Sequence, residues 1–345
     1  MKGLAFYGIR DLRYEDVADP KIEKPTDTIV RVRAVGICGS DLSRYKKLGP
    51  YVPGTVWGHE FSGEVVEIGS AVTKVRVGDR VVGCPSLPCF TCQHCLSGKY
   101  YQCDNIPVIG AFQGGAYAEY IKMPAINLVK MPDVMTYEEG ALVEPSTVVL
   151  HALYMSNIQM GDEVAVMGCG TIGLLAIQWA RLFGAKTIYA LDIDDKKLEA
   201  AKQIGVDVMI NTMGKDVYEE IQKYTEGVHV ALEAAGNPIA VAQVLGLPRK
   251  GGTVVHIGVP YGDISTPRFY FERIIRCHLT VKGSFNCISA PFPGREWTNA
   301  VEYFGKKLIN VEPLITHKLP LYEGPATFEK IMENRDGYGK VLLLP

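Results

Sequence analysis

Five of the nine cysteines in this 345-residue chain lie in the stretch CPSLPCFTCQHCLSGKYYQC, from Cys84 to Cys103. Cys89, Cys92 and Cys95 follow a C-x2-C-x2-C spacing, and seven residues separate Cys95 from Cys103. Disulfides fit the cluster least well, because nine is an odd number and a chain of this size needs no covalent staples to supplement its core. An iron–sulfur site shares the C-x2-C-x2-C opening, but its usual run leaves three residues before a fourth cysteine that is followed by Pro. Here the gap is seven and the next residue is Asp104. Zinc has no geometric preference from its d electrons, accepts four thiolates at tetrahedral corners, and in such a closed shell leaves no place for substrate. Cys89, Cys92, Cys95 and Cys103 are therefore assigned to a structural zinc. Cys84 is read as a buried thiol acting as a small apolar group, and His94 as a solvated loop residue.

A second pattern is Gly168-Cys169-Gly170-Thr171-Ile172-Gly173, a G-x-G-x-x-G that follows the apolar run EVAVM and opens a helical pattern. The first glycine permits a tight turn, the second lets the backbone approach a pyrophosphate, and the third lets helix pack closely on strand. Gly168, Gly170, Thr171, Ile172 and Gly173 thus form a candidate dinucleotide loop, against the plainer reading of a turn before an acidic helix cap. Asp192 lies 19 residues beyond Gly173, at the end of the next strand, where a carboxylate can accept hydrogen bonds from ribose hydroxyls. Its charge would repel a 2′-phosphate, which favours NAD over NADP. Lys196 and Lys197 pull the other way, since either could reach a phosphate, and Lys197 joins the candidate cofactor residues.

These groups need a scaffold to hold them. Residues 1–150, with the cysteine lobe at about 84–105, are rich in short β-type runs broken by Gly and Pro. Ile29–Val35 (IVRVRAV) alternates as a half-buried strand should, and Gly63–Ile68 and Arg80–Val82 follow. Across residues 151–284 strand and helix patterns alternate. EVAVMG is followed by TIGLLAIQWARLFG closed by Gly184, then KTIYALD, then KKLEAAKQIG closed by Gly205, then VHVALEAAG and GGTVVHIG. Such alternation implies parallel βαβ units. Residues 285–345 read as irregular after Ser284 and end in KVLLLP, an expected edge strand that returns to the first domain. The fold class is α/β plus mainly β, with the αβ part inserted.

Composition narrows the partners. The formal net charge is −2 and no long Lys/Arg run appears, so nucleic acid has no electrostatic footprint. The uncharged run VAVMGCGTIGLLAIQWA approaches a membrane span in length, but its glycines suit a turn between two elements, so no membrane partner is expected. The opening MKGLAFYGIRDLRYED has too short an apolar stretch for a signal-peptide core, and a cytoplasmic location is expected.

Cys38 lies in GICGSD, His59 and Glu60 in GHEFSG, and Glu144 in EPSTVVLHA. A thiolate, an imidazole and a carboxylate can hold zinc and leave a fourth position open. Taken singly, each residue type is more often structural, and spacing alone does not join them. Together, however, GICGSD, GHE-x2-G-x5-G-x2-V from Gly58 to Val72, the four-cysteine lobe and the G-x-G-x-x-G resemble the zinc-containing medium-chain alcohol dehydrogenase family, over essentially the whole chain. Glu144-Pro145 and VEPLITHKLPL resemble its polyol dehydrogenase branch, which carries Glu-Pro where ordinary alcohol dehydrogenases place a third cysteine ligand.

The resemblance implies a GroES-like β domain completed by the C-terminal segment, an inserted Rossmann domain with a doubly wound parallel sheet, and an active site in the cleft between them. It implies a catalytic zinc on Cys38, His59 and Glu144, with Glu60 as a fourth ligand or a neighbouring acid, and so two zinc ions per chain. The metal would lower the pKa of a substrate hydroxyl, Ser40 would take its proton and pass it through the NAD ribose, and the carbon would give hydride to the nicotinamide. The implied substrate is a polyol or polyol phosphate, with a threonine-like hydroxy acid as an alternative. A non-reacting cofactor-binding protein on the same fold would show a lost zinc ligand, and none is missing. A phosphate would call for cations, of which Arg295 in PFPGREW is the first choice by position, beside Arg44, Lys46 and Lys47. The chain departs from the branch at Ser43, where it often has His, and at Phe285-Asn286-Cys287, where it tends to show Phe-Arg-Tyr. A homodimer or homotetramer is also implied.

Overall fold

The computed structural model describes residues 1–334 and 337–345. Contacts divide the chain into two units, one made of Met1–Thr147, Cys287–Val311 and Ile315–Pro345, the other of Val148–Asn286 with Glu312–Leu314.

In the first unit the strand Asp27–Gly36 is the hub. It pairs antiparallel with Glu60–Ile68 along its length, with Tyr120–Pro124 over its first half, and with Lys340–Leu344 at its end. The sheet continues through Arg80–Gly83 to Leu128–Lys130, and past Lys340–Leu344 to Ile315–Pro320. A smaller sheet joins Asp11–Asp16, Lys2–Gly8 and Thr55–Val56. The alternation expected of IVRVRAV holds only in part. Ile29 and Val30 are both buried, as are Ala34 and Val35, because the register against Glu60–Ile68 shifts between Ile29 and Val30 and again between Val32 and Ala34. Such irregularities re-aim side chains and bend the strand. Gly63 sits within this irregular pairing, where a Cβ would come 2.2 Å from the Arg31 carbonyl oxygen.

Two expectations for the tail are corrected. Lys340–Leu344 is not an edge strand, since it lies between Ile315–Pro320 and Asp27–Gly36. Burial of its first four residues explains why the run is continuously apolar. Nor is the chain after Ser284 irregular. The helix Arg295–Gly305 buries Trp297, Ala300, Val301 and Phe304, an i, i+3, i+4, i+7 stripe, and Gly324–Glu333 buries Thr327, Phe328 and Ile331. Phe328 joins Leu4, Phe6, Val30, Trp57, Phe61 and Tyr117 in the core of this unit.

The second unit is a parallel sheet of six strands among the described residues, in the order Val208–Asn211, Thr187–Asp192, Glu163–Met167, Val228–Glu233, Pro248–His256, Thr280–Gly283. The order reverses between Glu163–Met167 and Val228–Glu233, which makes their carboxyl ends the switch point where ligands bind in open α/β sheets. These central strands are almost wholly buried, as strands covered on both faces must be. The uncharged run resolves into the strand Glu163–Met167, a turn, and the helix Thr171–Leu182. Gly184 at φ +91° and Gly205 at φ +86° follow the ends of two helices, where a left-handed residue stops the spiral. No helix among the described residues is long and apolar enough to cross a membrane.

Candidate functional site

The four predicted lobe cysteines converge. One sulfur from each of Cys89, Cys92, Cys95 and Cys103 lies within 4.8 Å of every other, and the Cys89 and Cys95 sulfurs are 3.9 Å apart. Thiolates held at about 2.3 Å around one tetrahedral zinc stand about 3.8 Å from each other. No S–S bond is present, and all nine cysteines are free. Local backbone builds the cage. The N–H of Cys89 donates to Cys103 Sγ and that of Cys92 to Cys89 Sγ, both at 3.3 Å, and Cys95 N–H donates to Cys92 Sγ at 3.5 Å. Hydrogen bonds from Thr91 and from the Cys92 N–H pull the Cys89 thiol down to about 6, while burial pushes Cys95 up to about 12. A metal here displaces protons, and its affinity falls as pH falls. Cys84 is wholly buried, its thiol pushed far up by that burial, and His94 faces Asp104 at 3.8 Å in an exposed pair.

The second donor group is assembled by strand pairing. Register sets Gly36 opposite Glu60, so Cys38, just past one strand, meets His59, just before the other. The Cys38 sulfur, a His59 ring nitrogen and a Glu60 carboxylate oxygen lie within 4.8 Å of one another. Two glycines make room. A Cβ on Gly36 would stand 2.3 Å from Glu60 Oε2, and Gly58, at φ +96°, lies where a Cβ would strike the Tyr117 ring at 2.6 Å. Glu144 lies in the first turn of the helix Val143–Ser156. Desolvation pushes its carboxyl up to about 7, with His59 pulling it down and Glu60 adding to the rise. Glu144 is thus close enough to feel both, although its carboxylate is not one of the three atoms in the tight cluster.

Three residues that the sequence reading left without a role hold this group in place. Lys340 Nζ stands 2.5 Å from Glu60 Oε2 and donates to the Ile37 carbonyl at 2.9 Å, with both charged side chains almost fully buried. Burial opposes the charge on Lys340, but Glu60, Cys38 and Glu144 together outweigh it and hold the amine above its ordinary value. Asp41 accepts from the Tyr117 hydroxyl at 2.6 Å, and its Oδ1 lies 3.7 Å from His59 Nδ1. Burial also works against a charged His59, yet Asp41 and Cys38 together raise the imidazole well above its ordinary range. His59 Nδ1 is a buried polar atom with no hydrogen-bond partner. Sulfur, nitrogen and oxygen donors that attract a positive charge this strongly fit zinc. Ser40 donates its hydroxyl to Cys38 Sγ at 3.2 Å, whereas Ser43 turns back onto the Gly39 carbonyl at 3.1 Å.

In the second unit the glycine loop leaves the switch-point strand. Gly168 takes φ +97°, and a Cβ there would meet the Ala235 nitrogen at 2.7 Å; on Gly173 it would come 1.7 Å from the Gly168 oxygen. At Gly170 a Cβ would meet nothing within 4 Å, so the backbone is open to an approaching group. Gly170 caps Thr171–Leu182 without a side-chain bond, which leaves first-turn N–H groups of Thr171, Ile172 and Gly173 for an anion. Asp192 is buried at its strand end. Its Oδ2 accepts from Cys169 N–H at 2.7 Å, its Oδ1 from Ile193 and Asp194 N–H at 2.8 and 3.0 Å, and Lys197 Nζ stands 4.0 Å away. The acid thus ties the glycine loop to its own turn.

Of the candidate phosphate cations, Arg44 is half-buried and the others are exposed. Arg44 lies over the Tyr51 ring, 3.3 Å from its centroid, and donates to the Gly49 carbonyl at 3.1 Å. Lys46 and Lys47 are exposed, and Arg295 is exposed in the first turn of Arg295–Gly305.

Comparison with known proteins agrees with this anatomy. Residues 24–133 match the alcohol dehydrogenase GroES-like domain, and residues 171–303 match the zinc-binding dehydrogenase domain. The chain is 35% identical to galactitol 1-phosphate 5-dehydrogenase of Escherichia coli K12, over 97% of each chain. It is 33% identical to sorbitol dehydrogenase of Bacillus subtilis 168, over 100% of this chain and 97% of that one. The crystal structure of galactitol-1-phosphate dehydrogenase from Escherichia coli superposes with a TM-score of 0.94 at 34% identity, covering 100% of both chains. A thiolate–imidazole–carboxylate group in a GroES-like unit, a four-cysteine lobe and a glycine loop on a parallel sheet are thus found together with family matches to both units, and the chain belongs to the zinc-containing medium-chain alcohol dehydrogenases.

Proposed function

We propose that this enzyme oxidises a secondary alcohol of a polyol phosphate with NAD, and that the substrate is galactitol 1-phosphate, giving tagatose 6-phosphate. The observation that carries the substrate is the 35% identity over 97% of the chain to a dehydrogenase of that phosphate. Free sorbitol is the second reading, favoured by the nearly equal identity to a sorbitol dehydrogenase.

Cys38, His59 and Glu144 would hold the catalytic zinc, with Glu60 as a further donor or a neighbouring acid. Cys89, Cys92, Cys95 and Cys103 would hold the structural ion. When bound, zinc supplies Lewis acidity toward a substrate hydroxyl and NAD supplies the hydride acceptor. Ser40 is our proton acceptor. With its own hydrogen directed at Cys38 Sγ, its oxygen keeps lone pairs free to receive a hydrogen bond from a hydroxyl beside the donor cluster. Lys340 holds the Glu60 carboxylate by a buried ion pair, and the Asp41 carboxylate, 3.7 Å from His59 Nδ1, acts on the imidazole through its charge. Gly168, Gly170, Thr171, Ile172 and Gly173 would seat the pyrophosphate of NAD, and Asp192, with Lys197 beside it, the adenosine ribose. The Asp192 carboxylate disfavours a 2′-phosphate, which supports NAD over NADP.

The test is the initial rate of NADH formation with galactitol 1-phosphate and with sorbitol, at equal concentrations and saturating NAD. A rate confined to the phosphate is expected, and should then fall when Arg295 or Arg44 is replaced by Ala. A rate confined to sorbitol would overturn the phosphate assignment and leave the hydride chemistry standing.

A further inference from the structure

At the switch point of the parallel sheet stands a carboxylate that the proposed mechanism does not use. Glu233 ends the strand Val228–Glu233 and is wholly buried. In the sheet register it faces Met167, the residue before the glycine loop. Its Oε1 accepts the N–H groups of Ala235 and Gly236 at 2.9 and 2.8 Å, and its backbone carbonyl accepts those of Ile257 and Gly258 at 2.9 and 3.1 Å. Its Oε2 has no hydrogen-bond partner and lies against Gly258, where a Cβ would come within 2.8 Å of it. The turns that this residue ties are themselves in close backbone contact. A Cβ on Gly258 would be 2.3 Å from the Gly236 nitrogen, and one on Gly168 would be 2.7 Å from the Ala235 nitrogen. The Glu233 side chain thus fixes the turn after its own strand, and that turn packs by close backbone contact on the turns after Met167 and His256, the latter also held by the Glu233 main-chain carbonyl.

Sheet order gives these turns a direction. Thr187–Asp192 flanks Glu163–Met167 on one side and Val228–Glu233 flanks it on the other. If Asp192 takes the adenosine end of a dinucleotide, the far end must extend over the turns that Glu233 holds. We infer that Glu233 is a positioning residue for the nicotinamide half of the cofactor, its carboxylate acting through the Ala235–Gly236 backbone, which packs on Gly168 and Gly258, rather than by touching the reacting atoms. The inference rests on the NAD reading above.

The experiment compares NADH and AMP binding, by fluorescence for NADH and calorimetry for AMP, in the zinc-loaded wild type, Glu233→Ala and Glu233→Gln. AMP carries only the adenosine half. Glu233→Ala is expected to weaken NADH about tenfold and to leave AMP within twofold. Glu233→Gln, which keeps one acceptor oxygen, is expected to lie between. Equal losses for NADH and AMP would mean a general scaffold role and overturn the inference, as would unchanged NADH binding in both variants. If Glu233→Ala does not fold, the same two ratios in Glu233→Gln decide. Failure of the wild type to bind either ligand would instead remove the NAD reading, and this inference with it.

Discussion

At the scale of single residues, the buried charges make the sharpest statements. Lys340 and Glu60 are separated by 280 positions and meet at 2.5 Å inside the first unit. Breaking a buried pair from one side leaves an uncompensated charge and typically costs about 3–5 kcal/mol. Lys340→Met should therefore lower stability by about that amount in denaturant unfolding and loosen the Cys38–His59–Glu60 group. A loss below about 1 kcal/mol would show that Glu60 has another partner. The sign for Lys340 follows from its raised pKa, since its contribution is complete below the ordinary lysine value and lost only as pH rises through the folded one. The variant's deficit should not fade until pH approaches the lysine range, and it should grow through neutral pH, because Lys340 also holds down the Glu144 carboxyl, which is pushed up to about 7. Glu233 has the same sign in a lower pH window, because its folded pKa is raised as well. Burial pushes it up to about 6, against the N–H groups of Gly236 and Ala235, so the folded chain binds its proton more tightly than the unfolded chain does. Stability from this group falls as pH rises from the ordinary glutamate value through 6. Glu233→Gln, which carries no such charge, should be more stable than wild type at pH 7.5 by up to about 2 kcal/mol and lose that advantage near pH 4.5. An advantage that persists unchanged at pH 4.5 would rule out charge burial as its cause. The trade is stability against cofactor fit. Neither residue was legible as a contact. Asp41 and Lys340 stand inside GICGSD and GKVLLLP, motifs visible in the sequence, but their partners are distant in sequence and no local spacing predicts them.

At the scale of elements, what could be read was what is local. The cysteine lobe closes within one short segment, its cage drawn by neighbouring N–H groups, so spacing alone pointed to it. The glycine loop is equally self-contained, since Gly168 and Gly173 meet each other and their own strand and helix. Elements that depend on partners were read less well. KVLLLP looked like an edge because it ends the chain, but continuous apolarity was the better signal of a strand with neighbours on both sides. The Pro-rich approach to Arg295–Gly305 hid a helix whose Trp297, Ala300, Val301 and Phe304 stripe was present in the sequence. The lobe also gives the element-scale prediction. A structural zinc contributes on the order of 10 kcal/mol to the folding of its own site. Cys95→Ser removes a buried thiol of the proposed cage and should release one zinc per chain, with a lower unfolding temperature, while Cys38 chemistry stays in place. Full retention of the second zinc with unchanged unfolding would mean that these thiols do not form a metal cage.

At the scale of the whole molecule, the two units differ in how their sequence builds them. The parallel-sheet unit is nearly continuous, from Val148 to Asn286, and its four inner strands are legible as alternation, whereas the two edge strands Val208–Asn211 and Thr280–Gly283, short and partly exposed, are not. The other is drawn from three segments, and its donor cluster joins residues that only the strand register of Asp27–Gly36 with Glu60–Ile68 brings together. That is why Cys38, His59 and Glu144 could be joined only through family resemblance. The same contrast predicts how the metals leave. Four thiolates complete a tetrahedron and offer a chelator no vacant position, whereas a catalytic site keeps one open by design. Dipicolinate at neutral pH should therefore remove one zinc per chain quickly, with dehydrogenase activity falling in step and the unfolding temperature changing by only a few degrees. The second ion should leave slowly and only as the protein unfolds, because its loss dismantles a cage of local backbone and buried sulfur. Metal analysis, activity and circular dichroism on the same time course separate the two phases. A single phase in which both ions, activity and fold vanish together would show that the two sites are not independent, and would contradict the assignment of one to catalysis and the other to structure.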